Sequence, residues 1–90
     1  MTKSSVTADL VEIFSALANP VRLQIIQFLE RGEKCVCEIT PAMKKSQPTL
    51  SIHLNQLYRA GLIDRRRDGK KVFYKLKKKD LPQIFKRLRP

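Results

Sequence analysis

The chain has 90 residues, with 19 Lys and Arg against eight Asp and Glu, a formal charge of +11 and a pI near 10.2. So short a chain supports one domain, residues 1–90, with a marginal core that gains from further burial in a dimer, and its charge favours a polyanionic partner. It has no apolar run of about 18 residues, which excludes a membrane-spanning helix, and its two cysteines are too few and too close for a secreted disulfide framework.

Met1-Thr2-Lys3 is followed by polar residues, so no signal peptide is expected and a cytoplasmic location follows. Thr7 is the expected cap of a first helix reaching about Ala18, with Leu10, Ile13, Phe14 and Leu17 at helical spacing. Asn19-Pro20 is a stop followed by a start: Asn19 caps, and Pro20 suits a first helical position that has no N–H to satisfy. The second helix runs to about Glu30, burying Leu23, Ile26 and Leu29 or their neighbours, and Gly32 ends it. Residues 36–43 form a short third helix with Ile39 and Met43 inward. Lys44-Lys45 is the turn.

Ser46 caps a fourth helix in which Leu50, Leu54 and Leu57 form one buried stripe, while Thr49, Ile52, Asn55, Gln56 and Arg59 point away. Gly61 ends it. Leu62–Arg67 and Lys71–Leu76 read as strands joined through Asp68-Gly69. Asp80 is the expected cap of a last helix carrying Leu81, Ile84, Phe85 and Leu88 on one face. The expected fold is mainly α with a small β-hairpin: a winged helix-turn-helix of about five helices plus a two-stranded wing.

The charge is divided along the chain. Residues 1–43 carry four basic and five acidic groups, a net of −1; residues 44–90 carry 15 basic groups against Asp64, Asp68 and Asp80, a net of +12. A helix of the fourth helix's size fits the major groove, and a cationic hairpin fits the phosphates beside it. Ser46, Gln47, Thr49, Ser51, Ile52 and His53 are the candidates at the helix start, and Arg65, Arg66, Arg67, Lys70 and Lys71 are those of the wing. Two of them carry alternatives: Ile52 meets a thymine methyl or wraps onto protein, and His53 touches DNA or hydrogen-bonds within the helix bundle. Lys77-Lys78-Lys79 and Lys86-Arg87 are weaker phosphate candidates.

Several segments together resemble the ArsR/SmtB family of small winged-helix repressors. Leu17-Ala18-Asn19-Pro20-Val21-Arg22-Leu23-Gln24-Ile25-Ile26 is similar to the start of that family's second helix, and Cys35-Val36-Cys37-Glu38-Ile39 to its metal box. Ser46-Gln47 through His53-Leu54, with Ala60-Gly61-Leu62-Ile63, resembles its recognition helix, and Tyr74-Lys75-Leu76 its returning wing strand. The motifs keep the family order over roughly residues 7–85. The resemblance implies a homodimer that binds double-stranded DNA at a palindromic operator, needs no cofactor to do so, and represses until an inducer binds. The first and last helices would form the dimer face, through Leu10, Phe14, Leu17, Leu81, Ile84, Phe85 and Leu88.

The chain departs from the family at the inducer site. Members sensing arsenite or antimonite often carry a third cysteine just after the pair, where this chain has Ile39, Thr40 and Pro41. Members with zinc-type sites carry His and acidic ligands on the last helix, where residues 80–90 offer only Asp80; the chain's one histidine is His53. On a regular helix, positions i and i+2 do not face one another. Cys35 and Cys37 therefore reach one ion only if the segment is extended or the first helical turn distorts. Two thiolates suit a soft, low-coordinate ion such as As(III), Sb(III), Cu(I) or Hg(II) better than tetrahedral zinc. Two other readings stay open: a thiol switch, and two small packing residues. A Cys35–Cys37 disulfide spans a single residue, so a bond between subunits or to a small thiol is the expected oxidised form.

Competing functions are a winged-helix regulator without a metal and a sequence-neutral chromosomal protein. No Ser-His-acid set, catalytic carboxylate pair or phosphate loop is visible, and with three glycines an enzyme is not expected. Nor is a membrane-surface role, since a dimer face explains the last helix better.

Overall fold

The computed structural model describes residues 2–89; Met1 and Pro90, the ends of the expected domain, lie outside the described residues. Five helices and three short strands follow in the order α1 (Thr2–Leu17), α2 (Pro20–Leu29), β1 (Lys34–Cys35), α3 (Val36–Met43), α4 (Gln47–Arg59), β2 (Ile63–Asp68), β3 (Lys71–Leu76) and α5 (Leu81–Leu88). Among the described residues, no helix is long and apolar enough to cross a membrane.

The punctuation of α2 works as its residues dictate. Asn19 is extended (φ −158°, ψ 130°), and its Oδ1 accepts the Val21 and Arg22 N–H groups at 2.9 and 3.1 Å. Pro20 follows, where no N–H is needed. The helix-turn-helix corner is closed by Lys44, which takes a left-handed conformation (φ 55°, ψ 41°) at the end of α3. Ser46 then caps α4, accepting the Thr49 N–H at 3.4 Å.

Two expected caps do not occur. α1 begins before Thr7 and runs through it. Asp80 precedes α5 without a side-chain hydrogen bond, because its backbone is helical (φ −86°, ψ −6°) rather than extended as a capping residue requires.

Ile25, Ile26 and Leu29 of α2 meet Ile39 of α3, Leu50, Leu54 and Leu57 of α4, and Leu62 and Ile63 at the start of the wing; all are fully buried. Burying each such side chain contributes about 1.5–3 kcal/mol. The α4 stripe is the expected one. On α2, Ile25 takes the fully buried place expected of Leu23, which is half-buried.

The wing is longer by one strand than the hairpin expected from the sequence. β1 pairs antiparallel with β3, placing Lys34 opposite Tyr74 and Cys35 opposite Phe73, so the sheet order is β1-β3-β2. A two-residue strand carries too little periodicity to be read from sequence. Between β2 and β3 the loop is Gly69-Lys70, closed by the Asp68–Lys71 pair. Gly69 has φ +63° and Lys70 does not share the positive φ, the pattern of a type II′ turn, which places glycine first.

Candidate DNA-binding face and cysteine site

The first turns of α4 present Gln47, Thr49, Ser51 and Ile52 to solvent, opposite the buried leucine stripe. Ile52 is 59% exposed and does not wrap onto the protein. Ser46 is engaged locally: besides capping, its hydroxyl donates to Thr49 Oγ1 at 3.0 Å. These side chains form a neutral hydrogen-bonding surface with one exposed branched aliphatic group, the chemistry needed to read base edges and thymine methyls.

His53 takes the bundle alternative. It is half-buried, with Nδ1 3.1 Å from Arg22 Nη1. Arg22 also donates through Nε to the Ala16 carbonyl (2.6 Å) and through Nη2 to the Ser15 carbonyl (3.3 Å). One guanidinium thus ties the end of α1 to α4. Burial, then the charges of Arg22 and Lys45, lower the His53 pKa, so the ring is neutral and accepts from Arg22. The clue to this role was Arg22 itself, the only cation of an otherwise apolar and neutral α2 segment.

The wing cations fall into two groups. Arg65 stacks on Tyr58 of α4, its guanidinium 4.0 Å from the ring centre. Arg66 stacks on Phe73 at 4.5 Å and binds Glu33 with both arms, Nε to Oε2 at 2.9 Å and Nη2 to Oε1 at 2.8 Å. Its hydrogen bond holds the Glu33 carboxyl below its ordinary pKa. Arg67, Lys70 and Lys71 are exposed and have no ion-pair partner among the described residues. Glu33 and Tyr58 were not singled out in the sequence; nothing local marks a partner 33 positions away.

Cys35 ends β1 in an extended conformation (φ −71°, ψ 149°) and caps α3. Its Sγ accepts the Cys37 N–H at 3.0 Å, and the Glu38 carboxylate accepts the Cys35 N–H at 3.0 Å, a reciprocal capping box. Cys35 is 4% exposed, whereas Cys37 is exposed. The two sulfurs are joined as a disulfide, which corrects the expectation of a bond between subunits or to a small thiol. The break from extended strand to helix puts the two Cα atoms 5.0 Å apart, inside the usual disulfide range. The same break brings both sulfurs together, as the sequence required for a shared ion.

The disulfide lines a cleft of about 410 Å³ whose other walls include Gln47 of α4 and Lys70, Lys71 and Val72 of the wing. A groove of about 530 Å³ between α2 and α3, lined by Phe28 and Met43, contains none of these groups. Among the described residues, no set of three His, Cys, Asp or Glu side chains is grouped as metal ligands.

The apolar face expected of α1 and α5 is only partly free. Leu10 (46%), Phe14 (65%), Ile84 (42%) and Leu88 (77%) are exposed. Leu81 is buried in the chain's own core, and Leu17 and Phe85 pack against that core, because α1 and α5 both lean on α2. Val6 and Val11, not singled out earlier, are exposed on α1.

A family model described as bacterial regulatory protein, arsR family, matches residues 19–65. The chain is 43% identical over 76 residues to an uncharacterised HTH-type transcriptional regulator of Methanocaldococcus jannaschii, covering 83% of this chain and 85% of that protein. It is 46% identical to a probable mercury resistance operon repressor of Streptomyces lividans (68% of this chain, 49% of the relative) and 43% identical to the arsenical resistance operon repressor of Escherichia coli (73% and 57%). The chain thus matches only about half the length of these two metal-resistance relatives. Among solved structures it is similar to the homodimeric winged helix-turn-helix DNA-binding domain of a possible ArsR-family regulator from Mycobacterium bovis, with a TM-score of 0.84, 32% identity, and coverage of 93% of this chain and 78% of that one.

Proposed function

The chain belongs to the arsR family of bacterial regulatory proteins, whose fold and family are those of DNA-binding transcriptional regulators and not of enzymes, and from that premise we propose that it is a cytoplasmic, homodimeric repressor of a palindromic operator. One observation carries the DNA reading. Gln47 at the start of α4 and Lys70 and Lys71 of the wing line a single cleft, so a base-reading surface and unpaired cations sit side by side. α4 enters the major groove, where Gln47, Thr49, Ser51 and Ile52 meet base edges; Arg67, Lys70 and Lys71 hold the flanking phosphates. Arg65 and Arg66 shape the wing through Tyr58 and Phe73.

Dimerisation supplies the second half-site. The exposed residues of α1 and α5 (Leu10, Phe14, Ile84 and Leu88, with Val6 and Val11) are the surface a partner copy would cover.

The inducer acts through Cys35 and Cys37. Once reduced, these thiols would hold a soft ion of low coordination number, such as As(III), Sb(III), Cu(I) or Hg(II). The donor chemistry fits: the two sulfurs converge, and the carboxylate of Glu38, next to Cys37 in the chain, is engaged by the Cys35 amide. Zinc, which takes four ligands, does not fit this donor set. The metal-resistance relatives support the same direction. A distortion of the first turn of α3 reaches the wing through the Cys35–Phe73 pairing and reaches α4 through the shared cleft.

A second reading, favoured by the joined sulfurs, makes the pair a thiol switch with the same output. The deciding experiment is a footprint and DNA titration with reduced protein, repeated with the soft ions and with oxidant. A discrete palindromic footprint lost on adding an ion supports the first reading, and loss on oxidation alone supports the second. No discrete footprint under any condition would leave only charge-driven, sequence-neutral binding.

A further inference from the structure

We infer that the cleft between α3, α4 and the wing is a thiol-exchange site for small anionic thiols, with Cys37 as the sulfur that is attacked. This goes beyond the repressor reading, and its chemistry can be tested without DNA.

The two sulfurs of the disulfide are not equivalent. Cys37 is exposed, whereas Cys35 is 4% exposed, so an incoming thiolate reaches Cys37 Sγ. Cys35 is also the better leaving group. Its sulfur already accepts the Cys37 N–H at 3.0 Å and sits at the cap of α3, where helix-terminal amides stabilise a thiolate. A leaving thiol of lower pKa leaves faster.

The step is balanced without an outside oxidant. The thiolate RS⁻ attacks Cys37 Sγ and forms the RS–SCys37 bond. The Cys35–Cys37 bond breaks, and its electron pair stays on Cys35 Sγ as the thiolate. A disulfide is consumed and a disulfide is formed. Return attack by Cys35 expels RS⁻ and restores the starting pair; a second RS⁻ instead leaves two thiols and RSSR.

The cleft selects the charge of R. Its charged walls are Lys70 and Lys71, and no acidic side chain lines it. Neither lysine has an ion-pair partner among the described residues. Glu38, the acid closest in sequence, is turned back onto the Cys35 amide. A thiol bearing carboxylates places them on the two ammonium groups, and a cationic thiol is repelled.

The test follows disulfide loss in oxidised protein with glutathione or cysteamine as probe, at matched thiolate concentration and low salt. Glutathione should react about two- to thirtyfold faster, the range two exposed ion pairs supply. Lys70→Gln/Lys71→Gln should remove that preference; Lys77→Gln/Lys78→Gln, which changes charge outside the cleft, should keep it. In Cys35→Ser, where serine can cap α3 and the ring cannot reclose, glutathione disulfide should trap a mixed disulfide on Cys37, located by peptide mass. Equal rates for the two probes, a preference that survives the Lys70/Lys71 change, or failure of Cys37 to trap the probe overturns the inference. Bound operator should protect Cys37 in the trapping assay. If it does not while the rate preference holds, the DNA assignment of the wing fails and the exchange site stands.

Discussion

Glu33 and Arg66 form a two-armed ion pair, at 2.8 and 2.9 Å, that ties the turn before the cysteine strand to the middle of the wing. Arg66 also lies over Phe73, and Phe73 is the cross-strand partner of Cys35. The pair therefore braces the wing against the segment that carries the cysteines. Read as sequence, Arg66 is one more phosphate contact; in the fold, its guanidinium is already matched by a carboxylate.

Glu33→Gln, Arg66→Gln and the double variant should accordingly weaken DNA binding to similar extents, with the double no worse than either single change. The salt dependence should change little, since Arg66 brings no free charge to the phosphates. Arg66→Lys should not rescue, because an ammonium cannot replace the fork. The carboxyl's lowered pKa gives the sign with pH: the pair is present above the ordinary carboxylate range and is lost as pH falls through the lowered folded value. Additive losses, or a salt slope falling in Arg66→Gln as in a free-cation variant, would count against this brace.

The His53–Arg22 contact predicts a different pH response. The folded-state pKa of His53 lies below its ordinary value, so the unfolded chain takes up the proton first. Its contribution to stability is complete above the ordinary value of 6.5 and is lost as pH falls through the lowered folded value. Urea midpoints measured from neutral to mildly acidic pH should fall less steeply for His53→Gln than for the parent. An unchanged slope would mean that the fold does not lower the His53 pKa.

Much of this arrangement was legible in the sequence, and the gaps have a common cause. Caps and stripes are local: Asn19-Pro20, Ser46 and the Leu50-Leu54-Leu57 spacing each specify structure within a turn or two. What escaped was long-range or too short. β1 has two residues and exists because β3 lies beside it. Glu33 and Tyr58 look like ordinary surface residues until the wing folds over them. Asp80 and Thr7 have capping chemistry but not capping backbone. Leu81 and Phe85 share an apolar face with Ile84 and Leu88, yet only the packing of α5 on α2 decides which of the four remain free.

That division sharpens the dimer prediction. Phe85→Glu would disturb the chain's own core as well as any interface. Phe14→Glu and Leu88→Glu alter side chains that are 65% and 77% exposed, so the fold should survive. Sedimentation should show the parent as a dimer at micromolar concentration, and both variants shifted to monomer with weaker operator binding. A parent that sediments as a monomer, or variants that remain dimeric with full affinity, would remove α1 and α5 as the interface.

For DNA, base-reading and phosphate-holding residues should separate. Gln47→Ala should narrow the gap between operator and random DNA by about 1–3 kcal/mol, the value of a lost bidentate base contact. Lys71→Ala should weaken both DNAs alike and lower the salt slope by about one. If Lys71→Ala leaves affinity for both DNAs and the slope intact, the wing is not on the phosphates.

The cysteine pair makes the most demanding prediction, because the Cys35 sulfur caps a helix while both sulfurs would meet an inducer. Cys35→Ser should preserve α3, since serine accepts an amide N–H in the same place. Cys37→Ser changes an exposed side chain, and the fold should tolerate it. Each variant should therefore bind operator like the reduced parent but resist release by arsenite, antimonite, Cu(I) or Hg(II). Zinc should release the parent poorly, because two sulfurs with no third donor grouped beside them among the described residues do not complete its tetrahedron. The decisive measurement is fluorescence anisotropy of labelled operator, titrated with each ion for the parent and for the Cys35→Ser/Cys37→Ser protein. Release of the double variant by the same ions, at the same concentrations, would place the sensor elsewhere and leave the cysteines as the cap and wall of the cleft.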